Sequence, residues 1–204
     1  MKTLLLSWLM LAGLVVQAQS SDSTAWEFSA EGMFYYFPGE ESLFLPVLRA
    51  DRGKLHLEAR YNYEDLRTVS GWVGYNVQGS LGKMDYVFTP MAGIAGGRTK
   101  GVAAGLEFTV TLGKFELSSE SEYLWDRAGS EYNFFYSWTD VTFSPKDWWW
   151  VGISGQRTKL YQTETDIQRG LILGASAGAW DFSGYFYNLG LEAPFFLFDV
   201  VFSF

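Results

Sequence analysis

From about residue 25 to the end of the chain, apolar and polar side chains alternate with a period of two, the signature of strands whose two faces meet different surroundings. In the stretch from Leu55 to Glu64, Leu55, Leu57, Ala59, Tyr61 and Tyr63 fall on one face, and His56, Glu58, Arg60, Asn62 and Glu64 on the other. Residues 101–112 repeat the pattern, with Val102, Ala104, Leu106, Phe108, Val110 and Leu112 opposing Glu107, Thr109 and Thr111. Near the start, Trp26, Phe28, Ala30, Phe34 and Tyr36 oppose Glu27, Ser29, Glu31 and Tyr35. The alternation predicts twelve strands, at 25–37, 43–50, 54–64, 71–78, 83–94, 101–112, 115–125, 132–143, 147–157, 168–178, 180–188 and 194–204. A ten-strand count stays open, because the second and fourth patterns are weak. Between Trp138 and Val141 the alternation slips, which predicts a bulge.

The connections alternate in length. Those near Asp51-Arg52-Gly53, Gly79 to Lys83, Gly113-Lys114, Ser144-Pro145-Lys146 and Ala179 are short. Those near Pro38 to Ser42, Asp65 to Ser70, Ala95 to Lys100, Asp126 to Glu131, Thr158 to Ile167 and Leu189 to Ala193 are mostly longer and more charged. Strands of roughly eleven residues exceed the five or six usual in a soluble sandwich. Short turns on one side and longer loops on the other suit an up-and-down antiparallel barrel. The last strand carries the strongest statement. Phe196, Phe198, Val200, Phe202 and Phe204 make one face wholly apolar, against Leu197, Asp199, Val201 and Ser203. Such a strand at a soluble sheet's edge would be an aggregation site unless the sheet closes and its outside meets lipid.

This terminal stretch resembles the closing strand of bacterial outer-membrane β-barrels, which ends in an aromatic residue, here Phe204. The resemblance covers the hairpin rhythm and the N-terminal leader as well, and it singles out no particular member of that porin-like superfamily. It implies an all-β transmembrane barrel in the outer membrane of a Gram-negative cell envelope, with Phe202 and Phe204 serving as an assembly signal. The partners it implies are outer-membrane lipids, lipopolysaccharide and the barrel-assembly machinery during insertion; oligomeric state is left open.

Composition narrows the picture further. Residues 1–18 have a basic start at Lys2, an apolar core from Leu4 to Val16 and a small-residue exit, the pattern of a cleaved signal peptide, leaving 19–204 as one barrel domain. Beyond that leader no apolar run approaches the roughly twenty residues of a spanning helix, so strands alone could cross a bilayer. Aromatic residues make up 19% of the chain, enough for interfacial girdles, and Trp148-Trp149-Trp150 is expected in the girdle on the short-turn side. Cysteine is absent, so stability rests on the barrel without disulfides. Loss of Lys2 with the leader leaves 14 basic against 23 acidic residues, a net charge of −9 that argues against nucleic acid as a partner.

Candidate chemistry lies on the inward face. If Gly113-Lys114 is a two-residue hairpin turn, Leu112 pairs with Phe115, Thr109 with Ser118, Thr111 with Glu116, and Glu107 stands opposite Glu120, with Glu122 two residues on. Like charges directly opposite destabilise a sheet, so something must offset them. A basic side chain reaching across the lumen, Arg60 or Arg157, a bound cation, or protonation would each do so. Glu58, Arg60, Glu107, Glu116, Glu120 and Glu122 are accordingly expected to line the lumen as an acidic wall favouring cations and neutral polar solutes. No cofactor and no metal centre is expected, since no loop carries metal-ligand spacing.

An enzyme fits less well. Gly174-Ala175-Ser176-Ala177-Gly178 matches the nucleophile elbow as text, but that elbow needs a strand-to-helix turn and here a strand continues. His56 is the single histidine, and Ser176 lies roughly five strands away from it around the ring; it is expected to be a hydrogen-bonding residue of the lumen rather than a catalyst. Inward parity also places Tyr35, Trp72, Leu124, Tyr185 and Tyr187 in the bore, where they could narrow or plug it. Two functions therefore stand side by side: a narrow porin-like channel for small polar or cationic solutes, and a closed structural or ligand-binding barrel without conductance. The loop 158–167, with Lys159, Tyr161, Glu164 and Asp166, is the candidate lid or partner surface.

Overall fold

A computed structural model describes residues 25–157, 167–191 and 193–204. The proposed leader and most of the proposed lid loop, Lys159, Tyr161, Glu164 and Asp166 included, lie outside these residues. The chain runs as β1 (Glu27–Tyr36), β2 (Leu43–Arg52), β3 (Leu55–Tyr61), β4 (Val69–Tyr75), β5 (Val77–Leu81), β6 (Met84–Gly96), β7 (Gly101–Leu112), β8 (Phe115–Asp126), β9 (Phe134–Lys146), β10 (Trp149–Arg157), β11 (Gln168–Ala177), β12 (Trp180–Tyr187) and β13 (Phe195–Ser203). β4 and β5 are one strand interrupted at Asn76, since both pair with β6. The described residues thus make twelve antiparallel strands, each beside its neighbours in sequence, and the ten-strand alternative is excluded.

The ring closes between its first and last strands. β1 pairs with β13 from Ser29 opposite Ser203 to Tyr36 opposite Phe196. Beyond that ladder the Phe28 and Phe204 backbones exchange two hydrogen bonds of 3.0 and 2.9 Å, so the seam runs to the last residue. Closure removes both sheet edges, and the outer face is free to be apolar. Phe34, Phe44, Leu48, Ile94, Val102, Leu171 and Phe198 stand exposed on it. Phe198, about half exposed at 52%, is not sandwiched between two sheets.

Local chemistry sets the short turns. Gly53, Gly82, Gly113 and Gly178 lead four of them with φ between 58 and 66°, a backbone region open to glycine at little cost. The Gly113-Lys114 turn fixes the predicted register, Leu112 opposite Phe115 and Glu107 opposite Glu120.

Three expectations need correction. The fourth strand extends to Leu81, so its turn is Gly82-Lys83 rather than a stretch from Gly79. The bulge expected between Trp138 and Val141 is absent: β8 and β9 pair in one unbroken register from Phe115 opposite Phe143 to Leu124 opposite Phe134. The apparent slip arose from assuming that Trp138 points outward, whereas it is buried inside; the irregularity lies instead between Trp149 and Val151. Trp150, expected in the outer girdle, shares the inward parity of Ser154 and Gln156 and lies over Gly174, where a Cβ would come within 2.1 Å of its ring.

The interior has two chemistries. Toward the long-loop end, Met33, Tyr35, Leu45, Val47, Tyr136, Tyr187, Phe195 and Leu197 pack into an apolar, aromatic-rich cluster. Trp72 packs against Met91, Ala103 and Leu124 beside it, its ring lying over Gly93, where a Cβ would stand 2.4 Å from Cδ2. Tyr35, Trp72, Leu124, Tyr185 and Tyr187 are all buried inside. Below them lies a layer of charged residues, then open space toward the short turns. Because the ladder closes between β1 and β13, unheated detergent samples are expected to run differently from boiled ones in denaturing gels; identical migration at every temperature would exclude the closed ring.

Candidate functional site

The charged layer is assembled from strands on opposite sides of the bore. β1 brings Glu31, β2 Arg49, β3 Glu58 and Arg60, β7 Glu107, and β8 Glu120 and Glu122. All follow inward parity, and the two guanidiniums hold the glutamates together. Arg49 bonds Glu31, donates from Nε to Glu58 at 2.6 Å and stands 3.5 Å from Glu120. Arg60 meets Glu58 at 2.5 Å, Glu107 at 3.1 Å and Glu122 at 3.2 Å. Its guanidinium also lies 4.5 Å from the Tyr63 ring centroid and 4.8 Å from that of Trp72, so cation–π attraction reinforces the ion pairs.

The opposed pair Glu107 and Glu120 is therefore offset by arginines reaching across the lumen. Arg60 is one of the two side chains anticipated for this. Arg157, the other, faces outward over Phe135 at 5.9 Å and takes no part. Arg49 carries the second half of the compensation and was not anticipated. Its strand reads Leu43-Phe44-Leu45-Pro46-Val47-Leu48, apolar on both faces, which hid the parity linking Arg49 and Asp51 to the buried Leu45 and Val47. Glu116 lies apart from the layer, near the short-turn rim, accepting from Thr111 at 3.3 Å.

The segment after β3 folds inward. Tyr63, expected on the lipid face, is buried 4% exposed inside, because the strand ends at Tyr61 and Asn62 takes a positive φ of 59°. Asn62, expected to line the lumen, instead fastens this bend: its Nδ2 donates to the Phe44 carbonyl at 3.1 Å, and its Oδ1 accepts from the Arg67 amide at 2.7 Å. Tyr63 then donates to Glu120 and meets the Tyr136 hydroxyl at 2.8 Å. Glu64 accepts from Ser70 and from Trp72 Nε1, the latter at 3.2 Å. Asp65 accepts from Thr99 at 2.9 Å and faces Arg98 at 3.4 Å. Residues 62–68 thus form a strap bolted to the wall from within. The Asn62 φ had no periodic signal in the sequence; a short polar side chain that tolerates this region was the one hint.

Toward the short turns the lumen widens. A cavity of about 250 Å³ is lined by Glu27, Asp51, His56, Asn76, Thr89 and Glu107. A second, of about 180 Å³, is lined by Glu31, Glu107, Glu120, Trp138, Asp140 and Tyr185. Glu107 and Thr109 line both. Asp140 accepts from Trp138 Nε1 at 2.8 Å, Ser154 at 2.5 Å and Tyr185 at 3.1 Å. The layer around the two arginines therefore carries more carboxylates than cations, and the open space below it is walled by acid and aromatic groups.

The elbow-like segment is inert in form. Gly174-Ala175-Ser176-Ala177 belongs to β11, Gly178 begins the hairpin turn into β12, and the Ser176 hydroxyl donates to Asp181. His56 bonds Asp51 through Nδ1 at 2.8 Å, while the Ser176 hydroxyl is taken up by Asp181.

No family model and no curated protein matches this chain. Among solved structures, KdgM porin aligns at a TM-score of 0.56 with 10% identity, covering 86% of this chain and 99% of its own. Omp33, an outer-membrane protein of Acinetobacter baumannii, aligns at a TM-score of 0.48 with 12% identity, covering 89% of this chain and all of its own. The fold is thus a closed antiparallel β-barrel similar to that of KdgM porin. Removing one partner of the buried charge layer leaves the rest uncompensated. Arg60→Ala, which strands Glu107 and Glu122 and leaves Glu58 to Arg49 alone, is expected to lower stability by about 3–5 kcal/mol, measured by denaturant unfolding in lipid vesicles. A loss below about 1 kcal/mol, the scale of exposed pairs, would show that these carboxylates do not depend on Arg60.

Proposed function

We propose that this protein resides in the outer membrane and acts as a narrow channel for small polar or cationic solutes, with its acidic vestibule opening toward the periplasm. One observation carries the reading: five glutamates, Glu31, Glu58, Glu107, Glu120 and Glu122, gather around Arg49 and Arg60 in the charged layer of the bore. A ring of excess carboxylate in a low-dielectric wall draws cations and repels anions. Short turns face the periplasm in barrels of this type, which sets the orientation. The porin-like fold accords with conduction. The assembly role of Phe202 and Phe204, and contact with lipopolysaccharide, belong to the same reading.

A second reading rests on a separate observation. The buried cluster of Tyr35, Tyr136, Tyr187, Phe195 and Leu197, together with the strap at Tyr63, fills the long-loop half of the bore. If this packing is permanent, the barrel is closed and binds or scaffolds without conducting.

Planar-bilayer recordings separate the two. Single-channel steps with cation preference are expected from the refolded protein, with the preference falling in the double variant Glu107→Gln, Glu120→Gln. Unchanged ion preference in that variant would defeat the acidic-layer reading. Tyr63→Ala, which unfastens the strap from Glu120 and Tyr136, is expected to raise conductance. Silent membranes from correctly folded protein, with or without this change, would leave the closed barrel.

A further inference from the structure

His56 faces the larger cavity, nine-tenths and more buried at 5% exposure, and its two ring nitrogens have different surroundings. Nδ1 lies 2.8 Å from Asp51 Oδ1; a carboxylate can only accept, so the proton sits on Nδ1. Asp51 is itself held, accepting from Asn76 Nδ2 at 2.7 Å, and Asn76 Oδ1 accepts from Thr89 at 2.7 Å. This chain fixes the ring, and in the neutral imidazole Nε2 presents a lone pair. Nε2 is buried and has no hydrogen-bond partner, although Glu58 Oε1 stands 3.2 Å away.

His56 Nε2 and Glu58 Oε1, the latter also accepting from Arg49 Nε at 2.6 Å, are two donor atoms set side by side, as the ligands of one ion are. With metal–ligand bonds of about 2.0–2.2 Å, two donors of a tetrahedral or octahedral ion lie about 3.0–3.5 Å apart. His56 Nε2 and Glu58 Oε1 already stand at that spacing, and Glu107 brings a third donor, the three lying within 4.8 Å of one another. We infer that His56, Glu58 and Glu107 bind a divalent first-row transition ion at the inner end of the larger cavity.

Three features fit this site. The donor set, one imidazole and two carboxylates, suits Zn²⁺ or Mn²⁺ better than Ca²⁺, which takes six to eight oxygens. Asp51 behind the imidazole is the outer carboxylate that orients metal-binding histidines, and Arg49 and Arg60 steady the carboxylates in the same way. Charge permits it, because the layer holds five glutamates against two arginines and has room for a dication. The cavity, reaching the turn residue Gly53, supplies a path from the short-turn end. The site stands whether or not the barrel conducts.

Calorimetric titration of the refolded protein in detergent with Zn²⁺, Mn²⁺ and, separately, Ca²⁺ tests it. One Zn²⁺ per chain is expected, bound more tightly than Ca²⁺, with affinity falling at least about tenfold in His56→Gln and about 10- to 100-fold in Asp51→Asn. Visible absorption of bound Co²⁺ that changes in His56→Gln would show the imidazole in the coordination sphere. Each variant is first checked for the folded species by its mobility without heating, and Glu107→Gln supplies a second ligand change if His56→Gln does not fold. Absence of stoichiometric binding, or binding undiminished in the ligand variants, overturns the site and leaves His56 as a bridge between Asp51 and Glu58.

Discussion

Everything in this barrel depends on the closure of its backbone ladder. In hydrocarbon an unpaired N–H or C=O costs several kcal/mol, and there is no water to take its place. The pairing of β1 with β13, continued by Phe28 and Phe204, removes the last open edge. Once the wall is paired within itself, the outward side chains need supply no polar partner. That is why Phe34, Phe44, Leu48 and Phe198 stand exposed with no partner layer over them.

Closure also encloses whatever faces inward, and this chain uses the enclosed space in two ways. The long-loop half holds a cluster of buried apolar side chains, with Tyr35 and Tyr187 each stacked on Phe195. The middle layer is polar, with two guanidiniums shared among five carboxylates and Glu58 bound by both arginines. The two layers are coupled through Tyr63, whose hydroxyl bonds Glu120 while its ring lies against the Arg60 guanidinium. A side chain from a connecting segment thereby ties the aromatic packing to the charge network. Three of the glutamates that the arginines hold in place, Glu31, Glu107 and Glu120, also line the cavities below.

Much of this was legible along the chain, for a reason rooted in the pleat. A strand's side chains alternate strictly, so parity alone puts Glu58, Arg60, Glu107, Glu120 and Glu122 on one face and Leu55, Leu57 and Ala59 on the other. The glycine-led turns preserve that parity from one strand to the next, which is why the opposition of Glu107 and Glu120 follows from Gly113-Lys114. Reading failed where an inward residue is as apolar as an outward one. Leu45 and Val47 concealed the parity of Arg49, and Trp138 and Trp150 imitated lipid-facing aromatics while lying inside. Tyr63 escaped for a different reason: one residue, Asn62, leaves the extended backbone, and parity ends with it.

The sequence by itself determined the class of the fold, the strand boundaries to within a few residues and the face on which most regular positions lie, because these are local consequences of alternation and turn chemistry. Which inward residues meet across the bore is a matter of ring geometry. Arg60 and Glu107 are 47 residues apart, and His56, Glu58 and Glu107 come together only because β3 and β7 face a common lumen. The inward strap at 62–68 was likewise decided in three dimensions, by buried partners on β4, β8 and β9 and at Thr99 that no local pattern announces.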